Sequence, residues 1–162
     1  MNDEKGQLSG EYMLLVGSLI VVLMISIFMI ANENELNIAM AAAKSGADEG
    51  VASSSSAIYP KETFNEYDDM EGLKHPYSVS IVNVSYNSSG IDENYGKQKI
   101  QFKVYAKASV DYNKKELDSI GDRINYNLRK SVATSFNTAN STNKLYNPVF
   151  SNNYVFTTAN VV

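Results

Sequence analysis

From Tyr12 to Ala31 the chain runs YMLLVGSLIVVLMISIFMIA without a charged side chain. At ~1.5 Å per helical residue this run reaches about 30 Å, the hydrocarbon thickness of a bilayer. It is therefore long enough to span a membrane. A secretory peptide removed whole has a basic start, a shorter apolar run and a small-residue cleavage site beyond it. Here the leader MNDEKG sets a single Lys against Asp3 and Glu4, so the run reads as a retained helix. Lys5 precedes the span, while Glu33 and Glu35 follow it, a weak charge bias that favours an outside location for the rest of the chain.

The helical pattern continues past Ala31. Leu36, Met40, Ala43, Ala47 and Val51 recur at intervals of three and four, which places them on one stripe. The spacing predicts one helix over residues 7–57, with Tyr59-Pro60 as its stop, because the residue before Pro is pushed out of the α region. Ala42, Gly46 and Gly50 stand four residues apart along it. That pattern admits two readings: a small-residue face for close helix approach, or a weak helical stretch carrying two Gly at up to ~1 kcal/mol each.

The formal charge of −4 and the pI near 5.0 argue against a phosphate-binding surface, which rests on excess Lys and Arg. Nucleic acid is not an expected partner. With no Cys the chain has no disulfide framework, thiolate site or Cys nucleophile. Any folded domain must be held by packing alone.

The stretch that bears most on function is Lys5-Gly6-Gln7-Leu8-Ser9-Gly10-Glu11-Tyr12-Met13-Leu14-Leu15. It resembles the class III signal peptide of archaeal type IV pilins, especially the small methanogen pilins, whose pattern is Gln-x-Ser-x-Glu-x-x-x-Leu after a Gly. Gln7, Ser9, Glu11 and Leu15 fall on that pattern, and Lys5 and Gly6 occupy the positions before the cut. The resemblance covers about the first thirty residues. It implies a leader, residues 1–6, removed on the cytoplasmic side by a membrane prepilin peptidase. It also implies a mature chain beginning at Gln7, a homopolymer assembled through the N-terminal helix, and an assembly ATPase with its membrane platform as partners. The expected location is the cell membrane before assembly and an extracellular surface filament afterwards.

An acid at position 11 has a physical rationale of its own. A carboxylate at the edge of an apolar run is costly to bury and needs a partner or an interfacial position. An α-amino group freed at Gln7, on the same or a neighbouring subunit, is such a partner. The competing reading is that Glu11 only marks the membrane boundary.

Residues 58–162 are expected to form an extracellular α+β head, sheet-based with one packed helix. Tyr77 to Tyr86 changes the parity of its apolar residues between Ile81 and Val82, which predicts a strand with a bulge or twist, followed by a turn rich in Asn, Ser and Gly. Lys97 to Val110 alternates, with Ile100, Phe102, Val104, Ala106, Ala108 and Val110 on one face, and predicts a half-buried antiparallel strand. Asn113 with Glu116 forms an N-x-x-E capping box opening a helix, whose stripe is Leu117, Ile120, Ile124, Leu128, Val132 and Phe136. A last strand is expected over Asn153 to Val161.

On the polar face of the alternating strand stand Lys97, Lys99, Lys103 and Lys107. Such a row either contacts anionic polysaccharide, nucleic acid or another subunit's acids, or is a solvated face that deters edge aggregation; the second is the commoner role. Asn83, Asn87 and Asn140 begin N-x-S/T acceptor patterns for N-glycosylation. Asn87 and Asn140 fall in expected loops and Asn83 inside a strand. No catalytic, cofactor-binding or metal site is expected. His75 is the only histidine and precedes Pro76, and Asp68, Asp69 and Glu71 lack the spaced Gly-containing loop of an EF-hand.

The expectation is thus a non-enzymatic pilin serving adhesion or surface attachment. Two alternatives share its leader and helix: a low-abundance pilin-like initiator or cap, and a membrane-anchored surface binding protein. An archaellin fits the Gln-x-Ser-x-Glu pattern less well, and a membrane-anchored enzyme is the different-class alternative.

Overall fold

The structure is a computed structural model that describes residues 4–52, 78–138 and 149–162, with the backbone alone for residues 4–9. It divides into two compact units, Met1–Leu36 and Asn37–Val162. Helix α1, Glu4–Ala52, runs through the first unit and into the second without interruption. In the first unit its apolar side chains are uncovered, with Met13, Leu14 and Phe28 at 74, 76 and 71 % exposure. The hydroxyls of Ser18 and Ser26 donate to Leu15 O and Val22 O at 2.8 and 2.9 Å, so the polar groups of this stretch are satisfied by the helix itself. The expected continuation over residues 53–57 and the stop at Tyr59-Pro60 lie outside the described residues.

The second unit is α+β, as the alternation and capping patterns predict. Strands β1 (Val79–Asp92), β2 (Lys97–Ala108), β3 (Val149–Phe150) and β4 (Tyr154–Val161) form one sheet in the order β1-β2-β4-β3, and helix α2, Lys114–Ser135, falls between β2 and β3 in sequence. β1 and β2 are an antiparallel hairpin whose ladder slips between Ile81 and Asn83, leaving Val82 as the bulge expected from the parity change. The polar stretch after Tyr86 is not a turn. β1 continues through it, with a second slip between Ser88 and Ile91 where Gly90 takes a φ of +83°. The reversal comes later, over residues 93–96. There Gly96 N–H donates to Asp92 O at 2.8 Å, and Asn94 N–H donates to the Asp92 carboxylate at 3.0 Å.

β2 is antiparallel only to β1. Its other neighbour, β4, runs parallel to it, which corrects the expectation of a wholly antiparallel strand. Parallel neighbours need a crossover, and α2 lies within it. Ile100, Phe102 and Val104 of β2 are at most 1 % exposed, and Phe102 stacks on Phe156 of β4 at 5.5 Å. The apolar face fades toward the end of β2, where Ala108 is exposed and Val110, beyond the strand, is 37 % exposed.

α2 is defined at both ends by hydrogen bonds that satisfy otherwise unpaired backbone groups. Asn113 Oδ1 accepts from Glu116 N at 2.9 Å, while a Glu116 carboxylate oxygen accepts from Asn113 N at 3.0 Å, the predicted capping box. At the other end Asn137 adopts φ 56°. Its N–H donates to Thr134 O and that of Thr138 to Ala133 O, the double closure of a Schellman motif. Ile120, Ile124, Leu128 and Val132 are buried as expected, and Phe136, at the cap, stacks on Phe156 at 5.7 Å. Leu117 is the exception at 49 % exposure, because it lies at the open end of the helix–sheet interface.

The segment Asn37–Ala52 of α1 packs on α2. Ala39, Ala43 and Ala47 are fully buried and Ala42 nearly so, while Leu36, Met40 and Val51 are half-buried at the borders. A Cβ on Gly46 would fall 2.5 Å from Asn127 O and 2.6 Å from Leu128 Cα, and one on Gly50 would fall 2.8 Å from Ile124 Cα. The four-residue Ala42, Gly46, Gly50 pattern is therefore a close-approach face, and the partner helix belongs to the same chain.

Candidate functional site

Two surfaces collect the residues singled out by sequence. The first is the N-terminal part of α1. Lys5, Gly6, Gln7 and Ser9 have helical backbone, but their side chains lie outside the described atoms. Glu11 and Leu15 are exposed and one turn apart, with Gln7 a further turn back. If the chain is cut before Gln7, the new amino group sits about 6 Å along the axis from Glu11, within reach of a carboxylate that leans toward the helix N-terminus. The Cβ positions of Gly10 and Gly17 meet nothing within 4 Å. α1 is long and apolar enough to cross a membrane by length and composition.

The second surface is the face of the sheet that carries the odd-numbered residues of β2. Directly paired residues of neighbouring strands share a face. Lys103 stands between Ser85 and Asn160, Gln101 between Asn87 and Thr157, and Tyr105 and Lys107 oppose Asn83 and Ser80. Lys103 Nζ lies over the Tyr105 ring at 4.9 Å from its centroid. Lys97 differs from the other lysines of the row. It donates to Ser151 O, lies 5.7 Å from the Phe150 ring centroid and is register partner to Asp92. A shallow depression of about 300 Å³ opens on this face, lined by Ser89, Lys99, Gln101, Thr157 and Thr158.

Asn83 and Asn87 lie on this same face, both exposed and both within β1. The loop expected at Asn87 is instead an edge strand. Asn140, His75 and the Asp68, Asp69, Glu71 cluster lie outside the described residues. Among the described residues no group of three or more His, Cys, Asp or Glu side chains could hold a metal.

A wider groove of about 570 Å³ opens beside the start of α2. Val79, Ala106, Leu117, Ile120 and Val161 make its aliphatic part, with Asp118, Asp122 and Asn125 on its lining. Asn125 is a residue that sequence reading passed over. Its amide accepts from Ala159 N at 2.8 Å and donates to Ala159 O at 2.9 Å, in the stretch where the β2–β4 ladder slips between Lys103 and Gln101. It thereby replaces the ladder bonds that the irregularity removes. No local pattern marks it, since the need arises only from the long-range pairing. Comparison with protein-family models, curated proteins and solved structures finds no match for this chain.

Proposed function

We propose that this chain is the structural subunit of an archaeal type IV-like surface pilus, cut after Gly6 by a prepilin peptidase and assembled through its N-terminal helix. The observation that carries the reading is the contrast within α1. Its apolar first part has no covering partner among the described residues, whereas its small-residue second part is consumed by packing on α2. An apolar cylinder of this kind suits lipid before assembly and identical helices after it, because both present an apolar surround. The register of Gly6, Gln7, Ser9, Glu11 and Leu15 supplies the processing step. Glu11 then pairs with the amino group at Gln7 of its own or an adjacent subunit, and the head faces the exterior, where N-glycans on Asn83, Asn87 or Asn140 and contacts with surfaces belong.

A low-abundance initiator or cap, or a membrane-anchored binding protein, would use the same leader and helix. Mass spectrometry of the N-terminus in material sheared from cells tests the reading. An abundant chain beginning at Gln7 is expected. An intact Met1 in that material would overturn processing, and absence of the chain from sheared filaments would leave the anchored alternative. Complete cyclisation of Gln7 would remove the ion pair while leaving filament formation intact.

A further inference from the structure

We propose that the sheet face bearing the odd-numbered residues of β2 is a binding surface for an acidic polysaccharide, with Lys99, Lys103 and Lys107 as its cationic contacts. The chain as a whole carries −4, yet neither strand ladder places an acid opposite any of these three lysines. Their register partners are Val155, Ser85, Asn160 and Ser80. Of the hairpin's two acids, Asp92 is the register partner of Lys97 and Glu93 lies in the turn. Among the described strand residues, positive charge is thus gathered on one face of an acidic protein, where Coulomb attraction acts within a Debye length of ~8–10 Å.

The uncharged groups of the face narrow the partner. Ser85, Asn83, Asn87, Gln101, Thr157 and Thr158 offer hydroxyl and amide groups, which donate and accept as a sugar's hydroxyls require. Lysines four apart on a strand stand about 13 Å from one another, so the charges are spread along a line rather than focused on one point. That geometry fits a polymer carrying a carboxylate at intervals. Single-stranded nucleic acid favours several free aromatic platforms for stacking bases, whereas the rings of this face are engaged, Tyr105 by Lys103 and Phe150 by Lys97 and the edge of Tyr95. The depression beside Lys99, with its two threonines and Gln101, is the place for one sugar unit to seat. This inference concerns the head alone and needs neither cleavage nor polymerisation.

The test uses the full chain in detergent, made in a host that does not glycosylate it, with soluble polygalacturonate as probe and neutral dextran and an oligo-dT strand as comparators. Polygalacturonate should bind, weakening as salt rises from about 50 to about 300 mM, with dextran binding undetectable and oligo-dT weaker. The K99E/K103E/K107E variant should bind roughly thirtyfold more weakly, at about half a decade per exposed ion pair. K114E/K115E, a charge reversal at the start of α2, should change binding less than about threefold. Since the substituted side chains project from a sheet surface, unchanged circular dichroism is expected; single K103Q, read in the same assay, serves if the triple variant unfolds. Equal losses in the two charge-reversal variants, retained binding in the triple variant, or tighter binding of oligo-dT would overturn the proposal. So would binding by N83Q/N87Q chain from the native cell where the unsubstituted native chain does not bind, which would assign the face to the chain's own glycans.

Discussion

Gly46→Ala tests the packing of α1 on α2 most directly. The added methyl would lie 2.5 Å from Asn127 O, 2.6 Å from Leu128 Cα and 2.8 Å from Ser131 Cβ. The first of these is about 0.9 Å short of an ordinary contact, and two of the three atoms are backbone, so relief requires the helices to separate. Forcing an extra carbon into a packed interface costs about 1–3 kcal/mol, and immovable backbone puts this site at the upper end. Removing a helical Gly returns up to ~1 kcal/mol. The net expectation is a loss of about 2 kcal/mol, or roughly 10 °C in Tm for a domain of this size. Gly121→Ala in α2 is the matched control. Its nearest neighbour would be Val161 Cβ at 3.9 Å, an ordinary contact, so the propensity term stands alone and Tm should rise by a few degrees. Thermal unfolding of the full chain in detergent, followed by circular dichroism, gives both shifts. Amide hydrogen exchange over Asn37–Ala52 distinguishes undocking of α1 from loss of the whole unit. A Gly46→Ala chain as stable as wild type, with those amides equally protected, would refute the close-approach argument.

Asn113→Ala removes the Oδ1 acceptor of the capping box, leaving the backbone N–H of residue 113 to the Glu116 carboxylate, and should lower stability by about 1 kcal/mol in urea unfolding, with the slope unchanged. Asn125→Ala strips Ala159, 6 % exposed, of the donor and acceptor that complete its backbone bonds; a loss of about 2–3 kcal/mol is expected, and Asn125→Asp should restore only the acceptor half. Glu11→Ala should leave the N-terminus at Gln7 and reduce sheared filament yield, and undiminished yield would return Glu11 to a boundary role. Burial lowers the Arg129 guanidinium from its ordinary value to about 10, with Tyr126 opposing. The folded chain therefore gives up this proton first, and the group adds stability only as pH climbs above about 10 toward the ordinary guanidinium range. Arg129→Met should accordingly shift Tm equally at about pH 6 and about pH 9, and unequal shifts would contradict a cation that stays charged across that range.

Local patterns in the sequence were reliable where one neighbour in the chain decides the outcome. The capping box, the parity break at Val82 and the alternation of Ile100, Phe102 and Val104 all belong to that kind, as does the uninterrupted α1 through the apolar run. What escaped was pairing across distance. β4 was expected over Asn153 to Val161 and is found at Tyr154–Val161, but its parallel pairing with β2 was not foreseen. β3 is two residues long, too short for any period. Ser88, Ser89 and Gly90 look like a turn, yet they form an irregularity within β1, whose ladder with β2 resumes at Ile91. The Gly46 and Gly50 face was visible, but spacing along one helix cannot tell whether the partner is another subunit or a later helix of the same chain. At the candidate site, the lysine row was evident and its hydroxyl and amide surroundings were not, since those come from β1 and β4.

The placement of β4 between β2 and β3 bears on the order in which this molecule is completed. The β1–β2 hairpin closes over a short turn and can form as soon as it is made. The β2–β4 ladder joins residues more than fifty apart, such as Gln101 and Thr157, so its closure waits for α2 and everything up to Val161. Until then the hairpin shows Ile100, Phe102 and Val104 without the Phe156 stack. By that time α1 has already emerged and can be seated in the bilayer. In the proposed pilus subunit a half-built head would then be tethered at a membrane surface with an uncovered strand edge and an apolar face, so the period between anchoring and strand insertion is when two neighbouring copies would be most exposed to mispairing.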